Sequence, residues 1–265
     1  MPQPLSRIRP NAQFTLTAEA LVGRPDLADL VTQIIALYAA IEQDLQTLFF
    51  RLVDPDEAVA SAMYSMLTSA SLQKQALNVV AKSKFGNDSE QFEVFAAVLD
   101  VVERTSQIRH RLAHWRWGIS PDAPDALLLA DSKDTKSVRI SHTHMRTMEP
   151  LDGENRPQRS EKILKHISFD TSKILVYRIT DLESGLADLG QASLALFHLD
   201  LYVTPQITDE HAADLKSAAG PDFHRAIDVG TSAEALRQLS SLSLFQEARR
   251  RLSLGKNKTR QTPSE

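Results

Sequence analysis

Six basic side chains crowd one short stretch of the sequence. Arg104, Arg109, His110, Arg111, His114 and Arg116 all fall within residues 101–116, where Glu103 is the one acid. Guanidinium groups gathered this closely suit phosphate binding, because local charge, more than net charge, decides where a polyanion lands. His110 and His114 are four residues apart, so on a helix they share a face. The same spacing serves helical metal pairs. Here, however, Arg111 stands where the H-E-x-x-H pattern carries glutamate, and a cation beside the pair opposes a metal ion. No metal and no cofactor are expected. The bland account of these residues is a solvated helix end whose cations complement the negative end of the helix dipole.

The element that must position them is a long helix expected from about Ser89 to Trp115. Its apolar row reads Phe92, Phe95, Leu99, Val102, and the same steps continue to Ser106, Arg109 and Ala113. An arginine on a core-facing row is costly unless paired, and small residues one turn away would leave a hollow around it. Arg109 and His114 are five residues apart, roughly 140° around a helix and about 7.5 Å along it. They converge on one phosphate only if the helix is distorted or if a second chain contributes. A two-fold homodimer packed through this helix would supply the second set.

The remaining elements form a helical frame. Pro25 opens a helix whose apolar row runs Leu27, Leu30, Ile34, Tyr38, Ile41, Leu45, Leu48 and Leu52. Further helices are expected over 56–69, 71–85 and 181–202, and a shorter one over 233–252. Prolines 2, 4 and 10 with Gly23 make residues 1–24 an arm. From 118 to about 175 the texture changes to short β-prone runs, Ala126–Ala130, Val138–Ser141 and Ile174–Tyr177, expected as a small hairpin or irregular insertion. The expected class is all-α: an antiparallel bundle over 25–205 with that insertion, then a C-terminal extension, 206–265, partly disordered from Gly255 onward.

Composition narrows the function classes. The chain has 265 residues, and an apolar share of 42% is enough for a real core. It has no cysteine, which excludes disulfides and cysteine-ligated zinc. The net charge of −4 argues against a bulk nucleic-acid coat but leaves room for a local basic site. No apolar run approaches the roughly 18 residues of a membrane helix, and the first residues lack the pattern of a signal peptide. A cytoplasmic protein with no membrane partner is expected. No G-x-G-x-x-G, Walker loop or G-x-S-x-G is present.

Arg109-His110-x-x-Ala113-His114 resembles the R-x4-H signature of the HEPN superfamily, an Arg-polar-x-x-x-His run near the start of a bundle's last core helix. It is also similar to the Arg-His-x-x-x-His form found in pre-rRNA-processing HEPN endonucleases. Ile41-Glu42 and Leu48-Phe49 in the first helix fit the same family, and the resemblance covers roughly 25–117, extended by the helix at 181–202. It implies a metal-independent endoribonuclease acting as a dimer, with settings such as phage defence or stress response. By that resemblance His114 would be the base on a ribose 2′-hydroxyl or the acid on the leaving 5′-oxygen, and Arg109 would neutralise the phosphorane oxygens. His110 would position the phosphate or share proton transfer. Arg104, Arg111, Arg116 and Glu42 become candidate substrate contacts. HEPN toxins silenced by a partner nucleotidyltransferase often carry tyrosine two residues after the motif histidine. Here that residue is Arg116, so tyrosine AMPylation there is impossible.

Other features admit two accounts each. Trp115 and Trp117 suit stacking on bases, or they cover the end of the bundle. His142 and His144 would share one side of a strand without a third ligand. Glu42 reaches the site or is a solvated edge residue. The basic tail from Arg249 to Arg260 contacts RNA or keeps the chain soluble. The second function expected is a non-catalytic helical module that binds RNA, a nucleotide or a partner protein.

Overall fold

In the computed structural model, residues 2–10, 12–53, 57–133, 170–204 and 231–260 are described. Their elements, in chain order, are β1 (Gln3–Pro4), α1 (Leu5–Ile8), β2 (Thr15–Leu16), α2 (Pro25–Val53), α3 (Glu57–Ser65), α4 (Ala70–Phe85) and α5 (Glu90–His114). There follow β3 (Arg116–Ser120), β4 (Ala123–Ala130), a 3-10 turn over Thr171–Lys173, β5 (Ile174–Tyr177), α6 (Ile179–Val203), α7 (Ser232–Ser241) and α8 (Ser243–Arg260). The molecule is mostly helical, but the all-α expectation needs correction: five strands form one antiparallel sheet in the order β1-β5-β4-β3-β2.

The chain divides into two compact units, Met1–Ile35 with Gln107–Leu186, and Ala36–Ser106 with Ala187–Glu265. Helices α2, α5 and α6 contribute residues to both.

The first unit carries the sheet. β3 and β4 pair with Arg116 opposite Ala130 and Trp117 opposite Leu129, and the register shifts between Gly118 and Ser120. β4 is buried continuously from Ala126 to Ala130, which is how a strand covered on both faces reads. One of its faces packs with Leu5, Ala12, Ile174 and Val176. The N-terminal segment, expected as an arm, therefore supplies both edge strands and the fully buried Leu5. Arg24 ties it down by donating to the carbonyl oxygens of Ala126, at 2.7 Å, and Pro124, at 2.6 Å. Arg9 pairs with Asp122, which also accepts from the Gln13 amide at 3.1 Å.

The second unit is helical. In its part of α2 the row runs Tyr38, Ile41, Leu48 and Leu52, all buried; Leu27, Val31 and Ile34, in the first unit, continue the same row. Each large apolar side chain removed from water contributes about 1.5–3 kcal/mol. Ser69 opens α4 by accepting from the Leu72 amide at 3.3 Å, and Thr231 opens α7 by accepting from Glu234 at 3.3 Å. The helix expected over 233–252 is two helices, broken at Leu242, and the second runs to Arg260, past the point where disorder was expected. The run Val138–Ser141, His142, His144 and residues 206–230 lie outside the described residues.

Candidate active site

Helix α5 carries the motif, and its caps explain its length. Ser89 Oγ accepts from the Phe92 amide at 3.0 Å, and the last helical bond runs from the Trp115 amide to the Arg111 carbonyl at 2.9 Å. Arg116, just past the expected helix end, enters β3. The helix is uninterrupted from Glu90 to His114, so no distortion swings His114 towards Arg109.

The expected row of α5 is buried at Phe95, Leu99 and Val102, but the packed face is wider and its continuation differs from the one expected. Val94, Val98, Val101 and Leu112 are buried, with Thr105 and Ile108 between them partly so. Thr105 stands in this row because its hydroxyl donates back to the Val101 carbonyl at 3.0 Å. The row through Ser106, Arg109 and Ala113 runs along its edge: Ser106 and Arg109 are half-buried and Ala113 is exposed. Arg109 is therefore not a core arginine. Gly185 of α6 lets Ile108 fill its place. A Cβ at Gly185 would stand 2.3 Å from Ile108 Cδ1.

His110 and His114 are both exposed, one turn apart, with ring centroids 4.8 Å from each other and planes inclined at 54°. Arg111 turns away from this pair. It donates to the Tyr177 hydroxyl at 2.9 Å, and its guanidinium lies 5.5 Å from the centre of the Trp115 ring. Burial raises the Tyr177 titration above its ordinary value, and the neighbouring Arg111 opposes that rise. Arg111 is thus a positioning side chain more than the substrate contact expected of it. Arg104 pairs with Asp100 at 3.5 Å, and Asp100 also receives Arg251 at 2.6 Å. Glu42 belongs to the second unit, where its charge adds to burial in raising the Tyr64 phenol. Among the described residues no three His, Asp or Glu side chains cluster as a metal site.

No family model, curated protein or solved structure matches the chain. The site is defined by its own geometry.

Beside the histidines lies a shallow cleft of ≈ 440 Å³, lined by Leu16, Ala113, Trp115, Arg116 and Trp117 among others. Its wall from Leu16 to Ala18 comes from the N-terminal segment, which sequence reasoning did not connect with the site. β2 is two residues long, too short for any alternating pattern to show. Gly118 permits this wall. A Cβ there would meet the Thr15 carbonyl oxygen at 2.7 Å and Leu16 Cδ2 at 3.0 Å. The basic tail is also partly committed: Arg251 pairs with Asp100 and Glu247, and Arg249 lies 6.0 Å over the Phe245 ring. No helix among the described residues is long and apolar enough to cross a membrane.

Proposed function

We propose that the chain is a metal-independent endoribonuclease of the HEPN type. The observation that carries this reading is the exposed pair of imidazoles, 4.8 Å between centroids, at the solvent end of α5 and in sequence with Arg109. Imidazole is the side chain whose ordinary titration lies nearest neutral pH, so a pair can serve as acid and base without a metal. In the proposed reaction His114 takes the proton of a ribose 2′-hydroxyl or gives one to the leaving 5′-oxygen. The 2′-oxygen bonds to phosphorus and the bond from phosphorus to the 5′-oxygen breaks. Arg109 neutralises the equatorial oxygens of the phosphorane, for which a planar fork of donors is suited. His110 holds the phosphate or carries the second proton. The products are a 2′,3′-cyclic phosphate and a 5′-hydroxyl.

Because α5 is undistorted, Arg109 and His114 point to different sides, and the proposal places the complementary set on a second copy packed through α5. The exposed face of α5, with Glu103, Arg104, Gln107 and His110, is polar. Such a dimer would be held by hydrogen bonds and ion pairs and would loosen with salt. Action in the cytoplasm, in defence against phage or in stress, belongs to the same proposal and rests on the family resemblance alone.

A second reading, a helical module that binds RNA or a partner without cutting, is favoured by the commitment of Arg104 and Arg111 to Asp100 and Tyr177. Labelled RNA incubated in EDTA separates the two. Cutting by the wild type but not by Arg109→Ala, with cyclic-phosphate ends, supports the nuclease. Binding without cutting, or equal cutting by the variant, rejects this assignment of the site.

A further inference from the structure

The cleft next to His114 is not used by the chemistry above, yet its lining is specific. Trp115, Arg116 and Trp117 line it together with Leu16, Leu112 and Ala113, in ≈ 440 Å³, within the range of about 300–1,000 Å³ in which small-molecule clefts fall. Both rings are held. Trp117 Nε1 donates to the Leu112 carbonyl at 2.9 Å, and its own carbonyl accepts from the Thr17 amide at 2.9 Å. The Arg111 guanidinium lies over Trp115 and is itself fixed by Tyr177. Rings ordered before a ligand arrives lose little freedom on binding it. Arg116 is exposed and makes no ion pair among the described residues. Ala113, directly before His114 in the chain, is exposed and lines the cleft.

We propose that this cleft is a nucleotide subsite, in which a base of single-stranded RNA stacks on the indoles and Arg116 holds its phosphate, delivering the next linkage to His114. Aromatic rings recognise any base by its π-face, and a guanidinium recognises the phosphate by charge and paired donors. The choice of a nucleotide as occupant rests on the RNA-cleaving reading of Arg109, His110 and His114. The subsite adds what that reading lacks: a surface that selects an unpaired base, because a base within a duplex cannot present its face to an indole.

The sequence holds two tryptophans, and both line the cleft. Intrinsic tryptophan fluorescence of the full chain therefore reports on this place alone. Titration with adenosine 5′-monophosphate, adenosine and ribose 5-phosphate separates base from phosphate. The expected result is saturable quenching by the nucleotide, weaker quenching by the nucleoside and none by the sugar phosphate. Arg116→Ala should weaken the nucleotide about tenfold and leave adenosine unchanged. Ala113→Phe, on an exposed position, should fill the cleft and abolish both. Absence of saturable quenching by the nucleotide, equal quenching by ribose 5-phosphate, or an Arg116→Ala protein that binds the nucleotide like wild type would each overturn the subsite. The nuclease reading fails separately. Quenching by the nucleotide with no RNA cut in EDTA rejects the nuclease and keeps the subsite, whereas cutting with no quenching does the reverse.

Discussion

From Glu90 to Ser106, α5 buries Val94, Phe95, Ala97, Val98, Leu99, Val101 and Val102. From Gln107 to His114 it buries Leu112 and leaves His110, Ala113 and His114 in solvent. One uninterrupted helix thus has a half whose side chains are consumed by packing and a half whose side chains are available to a ligand. A cation or an imidazole near the packed half is drawn into structure, as Arg104 and Arg251 are by Asp100. At the open end Arg111 is spent on Tyr177 and Trp115, which leaves the histidines clear.

The largest effect that tests this contrast is a cavity in the packed half. Phe95 is fully buried beside Phe85 and Phe92, with ring centroids 6.5 and 6.3 Å away. Phe95→Ala should lower stability by about 3–5 kcal/mol, read as a shift of the urea midpoint. A shift no larger than that of a surface substitution would mean that this half does not anchor the helix.

The next effect lies at the cleft wall. Gly118→Ala forces β2 away from β3, and overpacking of this kind costs about 1–3 kcal/mol. Because β2 leads into the wall, the variant should also lose nucleotide quenching. Full stability with unchanged quenching would show that the approach of Thr15 and Leu16 is not needed.

A smaller effect compares a packed imidazole with the open pair. His198 sits in the second unit with Nδ1 buried and no hydrogen-bond partner among the described residues. Burial lowers its titration below the ordinary value of 6.5, and the Glu234 charge opposes the fall only in part. The unfolded chain therefore takes up this proton at a higher pH than the folded one. The stability that His198 contributes is complete above about pH 6.5 and is lost as the pH falls through its depressed folded value. Thermal unfolding measured between pH 7.5 and 5 should show this loss, and His198→Phe should flatten it. An identical profile in the variant would remove His198 as its source.

Much of the frame was legible because it is local. The apolar row of α2, the start of α5 near Ser89, and the span of α6 follow from spacing within one segment. The sheet was not. Its edge strands are two residues each, and the buried run Ala126–Ala130 of β4 is continuously apolar, a pattern that a buried helix shares. The motif residues were legible as a cluster, while their surroundings were not. Tyr177 lies 66 residues beyond Arg111, and no local pattern encodes that meeting. The failed continuation of the α5 row to Arg109 and Ala113 has a physical reason too. Its packed face is wide enough to bury Val94 and Val98 as well as Phe95 and Leu99, so continuing one edge of the face led to Arg109 while the centre led to Ile108 and Leu112.

The proposed nuclease reading requires that the open end of α5 does chemistry and is not there for stability. It is tested most directly on His114→Ala, by measuring single-turnover RNA cleavage in EDTA and the urea midpoint on the same preparation. The account predicts cleavage reduced by about 10²–10⁴-fold with stability unchanged within about 0.5 kcal/mol. Cleavage at the wild-type rate, or a loss of activity that only accompanies unfolding, would contradict it.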